Sequence, residues 1–284
     1  MKKFYTLMVL CLALSITVSA QVQAPQPSPS TKVEQKVGLT DVTLEYSRPG
    51  VKGRTIFGDL VTLDKMWRTG ANKNSIVTFS TSVMINGKEI EAGSYAIFTK
   101  PSIQSWEINF YSETENWGTP EAWDASKVAA TVLAKSTKLN DKVETFTISI
   151  ENLSDGSADL SISWDKTKVV VPFTVPTDEM VMASIEKTMA GPSSNDYYAA
   201  GRYYKDSGKD YIKALEMINK SIEMRGEEKF WMVRQKALTL AKLGKTEEAI
   251  VAAEKSIALA KIAGNDDYVK SNEKSIAEWE SMKK

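Results

Sequence analysis

The apolar periodicity of this chain changes once, near Thr177, and that change requires two folds of different class in one polypeptide. Before it, apolar residues recur at every second position. Val42, Leu44 and Tyr46 do so, as do Trp106, Ile108 and Phe110; Phe146, Ile148 and Ile150; Leu160, Ile162 and Trp164; and Val169, Val171 and Phe173. A period of two puts one face of an extended chain on a core and the other in water. After it, Met182, Ile185 and Met189, then Leu215, Ile218 and Ile222, then Ile250, Ala253 and Ile257 follow helical spacing.

The first region reads as about eight antiparallel strands, a β-sandwich or a partly closed barrel. Asn86-Gly87 between Val83–Ile85 and Lys88–Ile90 signals a tight hairpin. Asp155-Gly156 lies between two more strands, and Asp165-Lys166-Thr167 is expected to turn the chain into a third. Pro176 and Thr177 before Asp178-Glu179 mark a helix start, and Gly191-Pro192 a stop. The fold class is therefore α+β in two domains.

The N-terminus is a separate segment. Lys2 and Lys3, an apolar run from Leu7 to Val18 and the small residues Val18-Ser19-Ala20 have the form of a cleaved export signal. Nothing later is apolar enough to cross a bilayer. Residues 21–32, with Pro25, Pro27 and Pro29, read as a tether. The expected order is signal 1–20, tether 21–32, β domain 33–175, connecting helix 176–194 and helical domain 195–284.

That helical domain repeats internally. Ala214 and Ala249 are 35 residues apart, and so are Ser221 and Ser256; Lys220-Ser221-Ile222 echoes Lys255-Ser256-Ile257. Gly208 and Gly244 close the first helix of each pair, and the small residues Gly201 and Ala237 sit near its middle. The pattern resembles the tetratricopeptide repeat, whose period is about 34 residues. Two degenerate repeats are expected, with Tyr268–Met282 as a capping helix. The usual terminal proline is absent, and the first repeat carries an extra residue.

The exported chain has neither histidine nor cysteine, because the only cysteine is Cys11 in the signal. The commonest general base, the best neutral-pH nucleophile and the main ligands of zinc and copper are thereby missing. No metal site and no cofactor are expected. Of 36 basic and 36 acidic residues, removal of Lys2 and Lys3 leaves 34 against 36. So even a balance offers nucleic acid no attraction, and none is expected as a partner.

The densest run of uncommon residues is Tyr46-Ser-Arg-Pro49, Gly53-Arg54, Trp67-Arg-Thr-Gly-Ala-Asn72 and Ala92-Gly-Ser-Tyr95. On these strings, residues 33–175 resemble a family of secreted bacterial proteins known as domain of unknown function 2911. The resemblance implies a secreted β domain with no established activity, so no catalytic residue carries over.

Read as chemistry, Arg48, Arg54 and Arg68 could fork onto a carboxylate or phosphate, with Asn72 adding donors and Trp67 a stacking wall. They could equally tie loops to backbone carbonyls. A second candidate is Ser112–Asp124, where Glu113, Glu115, Glu121 and Asp124 alternate with Trp117 and Trp123. Aromatics beside carboxylates suit a sugar, and a carboxylate pair suits glycoside hydrolysis. The leading expectation is an exported, non-enzymatic binding or scaffolding protein, periplasmic or extracellular, whose helical repeats take a protein or peptide. The alternatives are a small anionic or sugar ligand on the β domain, and a carboxylate-based hydrolase.

Overall fold

The structure, a computed structural model, describes residues 24–189 and 191–282. The expected export signal, with Cys11, lies outside the described residues. The chain divides after Thr177 into two compact units.

Among the described residues, the first unit holds ten strands in two antiparallel sheets. They are β1 (Ser30–Val37), β2 (Thr40–Ser47), β3 (Ser75–Phe79), β4 (Val83–Ile85), β5 (Lys88–Ile90), β6 (Gly93–Pro101), β7 (Ser105–Tyr111), β8 (Val128–Lys135), β9 (Thr137–Glu151) and β10 (Ser157–Thr174). The six-stranded sheet runs β1-β2-β3-β6-β7-β8 and the four-stranded sheet β5-β4-β10-β9. Both sheets are open. The alternating residues of both point into one hydrophobic cluster, whose largest members include Trp106, Trp164, Phe79, Phe110, Phe146 and Phe173. Asn86 and Gly87 join β4 to β5 at φ 51° and 73°, the left-handed pair that a two-residue hairpin requires.

Two expectations need correction. β1 begins at Ser30, inside the stretch expected to be a tether to residue 32, and pairs with β2 from Ser30↔Ser47 to Val37↔Thr40. Asp165-Lys166-Thr167 does not turn the chain. β10 runs through it, with register shifts on either side of Asp165, which sits at φ 51°. The physical reason lies in the side-chain phase. Leu160, Ile162 and Trp164 occupy even positions, and Val169, Val171 and Phe173 odd ones, yet all six are buried in the shared cluster. Asp165, left-handed between the two register shifts, breaks the alternation there, so the strand resumes with its odd positions inward while the surplus residues of the irregularity fall on β9.

The second unit is helical: α1 (Thr177–Thr188), α2 (Ser194–Asp206), α3 (Tyr211–Arg225), α4 (Phe230–Lys242), α5 (Thr246–Ile262) and α6 (Asp266–Ser281). Ser193 and Asp196 form a reciprocal cap on α2, and Asp210 caps α3 by accepting from the Lys213 amide at 2.9 Å. α2 packs on α3 and α4 on α5, and α6 lies on α5. The two pairs share a detail. Ser221 on α3 donates to the carbonyl of Ser194, first residue of α2, at 2.7 Å. Ser256 on α5 donates to the carbonyl of Phe230, first residue of α4, at 2.8 Å. Both hydroxyls are fully buried. Gly201 lets α2 and α3 approach: a Cβ there would stand 2.9 Å from Ile218 Cγ1 and 3.0 Å from the Ala214 carbonyl oxygen.

Candidate functional site

The five residues singled out in the sequence lie between β2 and β3, and most of their polar groups are already engaged. Arg48 donates through Nε to the Phe146 carbonyl at 3.1 Å and through Nη2 to Thr147 Oγ1 at 2.8 Å, strapping its loop to β9. Arg54 closes its own loop on the carbonyls of Val51 and Gly50, at 3.1 and 2.6 Å. Trp67 is half-buried among aromatics: its ring stacks on Trp164 at 6.0 Å and 14°, and meets Phe57, Trp106 and Phe146 edge-on. Asn72 donates to Ser47 Oγ at 3.2 Å and to the Ser28 carbonyl at 3.3 Å. Arg68 is half-buried, and its Nε has no partner. Two of the three guanidiniums thus tie loops to backbone oxygens.

The segment that carries them is strained. Asp64, Thr69 and Asn72 all have left-handed φ values, 56°, 57° and 60°. For Thr69, a β-branched residue, that conformation is costly and must be imposed by its surroundings. They are specific: Trp67 pairs with Thr99 of β6, Thr69 Oγ1 donates to Thr99 Oγ1 at 3.0 Å, and Ser75 donates to the Thr69 carbonyl.

A cavity of about 290 Å³ opens beside this segment. Ser30 and Lys32 of β1, Glu45 and Ser47 of β2, and Lys73 and Asn74 just before β3 line it. Leu44 faces the core, so Glu45 and its β1 partner Lys32 lie on the opposite face of the sheet. Asn74 is only 2% exposed, yet neither its Nδ2 nor its Oδ1 has a hydrogen-bond partner. A buried polar group left unmatched costs about 1–3 kcal/mol. The two lysines are already paired, Lys32 with Glu34 at 2.7 Å and Lys73 with Glu115 at 2.8 Å.

The second sequence candidate, Ser112–Asp124, meets the first here. The Asn74 backbone N–H donates to the Asn116 carbonyl at 3.1 Å, beside the Lys73–Glu115 pair. Glu113 takes Lys127 at 2.5 Å, and Asp124 caps the short turn Ala125–Lys127 by accepting from Ser126. The loop is thus pinned along its length, yet it holds the Trp117 indole 79% exposed. Trp123 instead lies on Tyr111 and Phe98. The Lys73 ammonium holds the Glu115 carboxyl below its ordinary range, and hydrogen bonds from Ser126 do the same for Asp124. A glycosidase general acid needs the opposite displacement. Elsewhere, Ser161 and Lys168 both donate to Glu151 Oε2, at 3.0 and 2.6 Å, so that serine hydroxyl is directed at a carboxylate and not at an amine.

In the helical unit, a groove of about 490 Å³ is lined by Lys205 of α2, Leu238 and Lys242 of α4, and Trp279 of α6, with Tyr211 at one end. It therefore runs across the first helix of each pair and the last helix. Elsewhere in the unit, Arg234 donates to Asn272 Oδ1 at 2.8 Å, and Asn272 donates to Ser256 Oγ at 3.0 Å, linking α4, α5 and α6. Burial lowers the Arg234 pKa from its ordinary value.

Sequence reasoning missed Lys32, Glu45, Lys73 and Asn74. The first three read as ordinary surface charges on an extended chain. Asn74 carried no signal at all, since its burial comes from contacts far away in sequence. Among the described residues, no group of three or more metal-ligating side chains gathers, and no helix is long and apolar enough to cross a membrane.

No curated protein and no solved structure matches the chain. Residues 28–173, more than half of the chain and all of its strands but the last residue of β10, match the family model described as Protein of unknown function (DUF2911). The helices lie beyond the match. With its strapped arginine loop and its ten strands inside that span, this chain belongs to the DUF2911 family.

Proposed function

We propose that this chain is an exported, non-enzymatic binding or scaffolding protein, periplasmic or extracellular, that engages a protein or peptide through its helical unit. In this reading the two sheets pack as a sandwich, the two helix pairs are degenerate tetratricopeptide-like repeats, and α6 caps them. The observation that carries it is the groove across α2, α4 and α6. It combines apolar Leu238 and Trp279 with Lys242 in a trough large enough for several side chains. The matching serine bonds of the two pairs support the repeat assignment. The absence of histidine and the depressed carboxyls of Glu115 and Asp124 support a non-catalytic role.

A selection of random peptides on the full exported chain tests this. Peptides recovered should lose binding to Ala241→Arg or Lys242→Glu, and to a chain lacking residues 195–284. Peptides that bind all versions equally reject the helices as the binding surface.

A second reading, a small ligand on the β unit, is favoured by one specific observation: the cavity of about 290 Å³ lined by Lys32, Glu45, Ser47 and Lys73.

A further inference from the structure

We infer that the partner of the helical groove is an acidic peptide, one of whose Asp or Glu carboxylates docks on the guanidinium of Arg234. This rests on the helical unit being the binding surface, as proposed above, and adds the chemistry of what it binds.

Arg234 of α4 is half-buried, and the residues that hold it are neutral. It donates through Nη1 to Asn272 Oδ1 at 2.8 Å and through Nη2 to Ser275 Oγ at 3.4 Å, both on α6. Among the described residues it makes no ion pair. A cation drawn out of water without a counter-charge is costly, and an incoming carboxylate relieves that cost. The guanidinium has five N–H groups, of which these two bonds use two. The remaining three suit a planar, two-oxygen acceptor.

Arg234 is also placed to meet a peptide lying in the groove. Leu238 lies four residues after Arg234 on α4, and Trp279 four after Ser275 on α6. Residues at that spacing share a helix face. Leu238 and Trp279 line the groove, so Arg234 and Ser275 extend its wall by one turn. On α2, Arg202 lies one turn before the groove residue Lys205 and over the Tyr198 ring, 6.0 Å from its centre. Burial raises the Tyr198 pKa and Tyr268 adds to it; burial lowers that of Arg234 and Tyr268 opposes the change. Tyr268 therefore stands close to both, and the three helices converge there.

The charge around this point is one-sided. Arg225 lies over the ring of Trp231, three residues before Arg234, and donates to Asn195 Oδ1 at 3.3 Å. Its Nε is buried without a partner. Arg202 and Lys205 share Asp206, at 3.6 and 2.7 Å. Among the described residues, the ion pairs of these four cations involve one carboxylate, that of Asp206. The whole chain has equal numbers of basic and acidic residues, so this excess is local. It complements a partner that carries acids beside an apolar side chain for Leu238 and Trp279.

The test is a random-peptide selection on the full exported chain, on a chain lacking residues 195–284, and on Arg234→Gln and Arg234→Lys. The parent should return peptides enriched in Asp or Glu that the shortened chain does not bind. Synthetic copies should bind Arg234→Gln about tenfold more weakly than the parent, the loss of one charge-assisted contact. Arg234→Lys, which keeps the charge but not the fork, should fall between them. Replacing the peptide's acid by its amide should weaken binding to the parent by the same factor and to Arg234→Gln no further. A purely structural arginine would not show that coupling. If Arg234→Gln does not fold, the same cycle on Arg234→Lys should show a smaller penalty than the parent does. Recovered peptides that need the helices but share no acid overturn the acidic partner and leave the groove reading standing. Acidic peptides whose acid does not couple to residue 234 overturn the docking point. Recovery of no peptide, or of peptides that bind without residues 195–284, overturns the groove reading and this inference together.

Discussion

The fully buried side chains of the β unit are led by Trp106, Trp164, Tyr111 and several phenylalanines, whereas those of the helical unit are mostly small, Ala214, Ala237, Ala249, Ala253 and Ala260 with Ser221, Thr239 and Ser256, and Ile218 and Met232 are its largest. One core is built of large rings in a cluster to which both sheets contribute. The other is built of small residues that bring backbones together, with polar groups threaded between helices. The β unit straps loops to carbonyls with Arg48, Arg54 and Asn72, and buries hydroxyls such as Thr69, Ser75 and Thr99 beside the strained segment. The helical unit links its helices instead: Ser256, Asn272 and Arg234 form a continuous chain of bonds through three of them. Two solutions to packing therefore sit in one polypeptide, and they differ in how they fail. A ring core fails by cavities. A small-residue core fails by overfilling.

Trp164→Ala should give the largest effect of any single change considered. Trp164 is 2% exposed and touches Phe57, Trp67 and Phe146. Its loss should cost about 3–5 kcal/mol, read as a lower denaturant midpoint for the β unit at constant slope. Trp164→Phe sharpens the point. Indole Nε1 is buried without a partner, so phenylalanine leaves a smaller hole and removes an unmatched donor. If both variants cost the same, cavity formation is not what limits this core.

Much of this contrast was legible in the chain. Alternation located β2, β7, β9 and β10, Asn86-Gly87 located the β4–β5 hairpin, and a spacing of 35 paired Ser221 with Ser256 before their bonds were visible. What escaped depended on partners remote in sequence. The phase change between Trp164 and Val169 was plain, but a turn and a bulge both produce one. Only the continued pairing of β10 with β9 decides between them. The guanidiniums of Arg48 and Arg54 were visible as charges; the carbonyls that hold them were not. Asn74 was one asparagine among many until the 112–124 loop folded over it. Periodicity reports a face, whereas a site depends on which distant face arrives.

Gly201→Ala tests the opposite failure. In an open helix the change should stabilise by about 1 kcal/mol, because alanine is the better helix former. At this position the new methyl meets the Ala214 carbonyl oxygen at 3.0 Å and the Ile218 amide nitrogen at 3.1 Å, backbone atoms that cannot rotate away. The expected outcome is a net loss of about 1–2 kcal/mol, seen as a lower midpoint in the helical circular-dichroism signal. A gain would mean that α2 and α3 can separate slightly at no cost, and that the small-residue core is softer than the ring core.

The smallest effect concerns pH, where the two units share a sign but differ in burial. Burial pushes the Glu151 carboxyl up, but Lys168, Ser149 and Ser161 together outweigh it and leave it below the ordinary value of 4.5. A depressed carboxyl contributes stability above its unfolded pKa and loses it as pH falls through the folded value. In the helical unit, Asp178 is depressed by Lys209 and Tyr203, and Asp196 by Ser193, both at the open surface. All three contributions therefore disappear on acidification below the ordinary carboxylate range, and none is lost toward alkaline pH. Glu151 and Lys168 keep side-chain exposures of 36% and 27%, so solvent screening reduces their pair to a few tenths of a kcal/mol. Glu151→Gln should lower stability near pH 7 by that amount and shrink the difference between about pH 7 and about pH 3. An acid limb as steep in the variant as in the parent would assign the β unit's acid sensitivity to carboxyls other than this one.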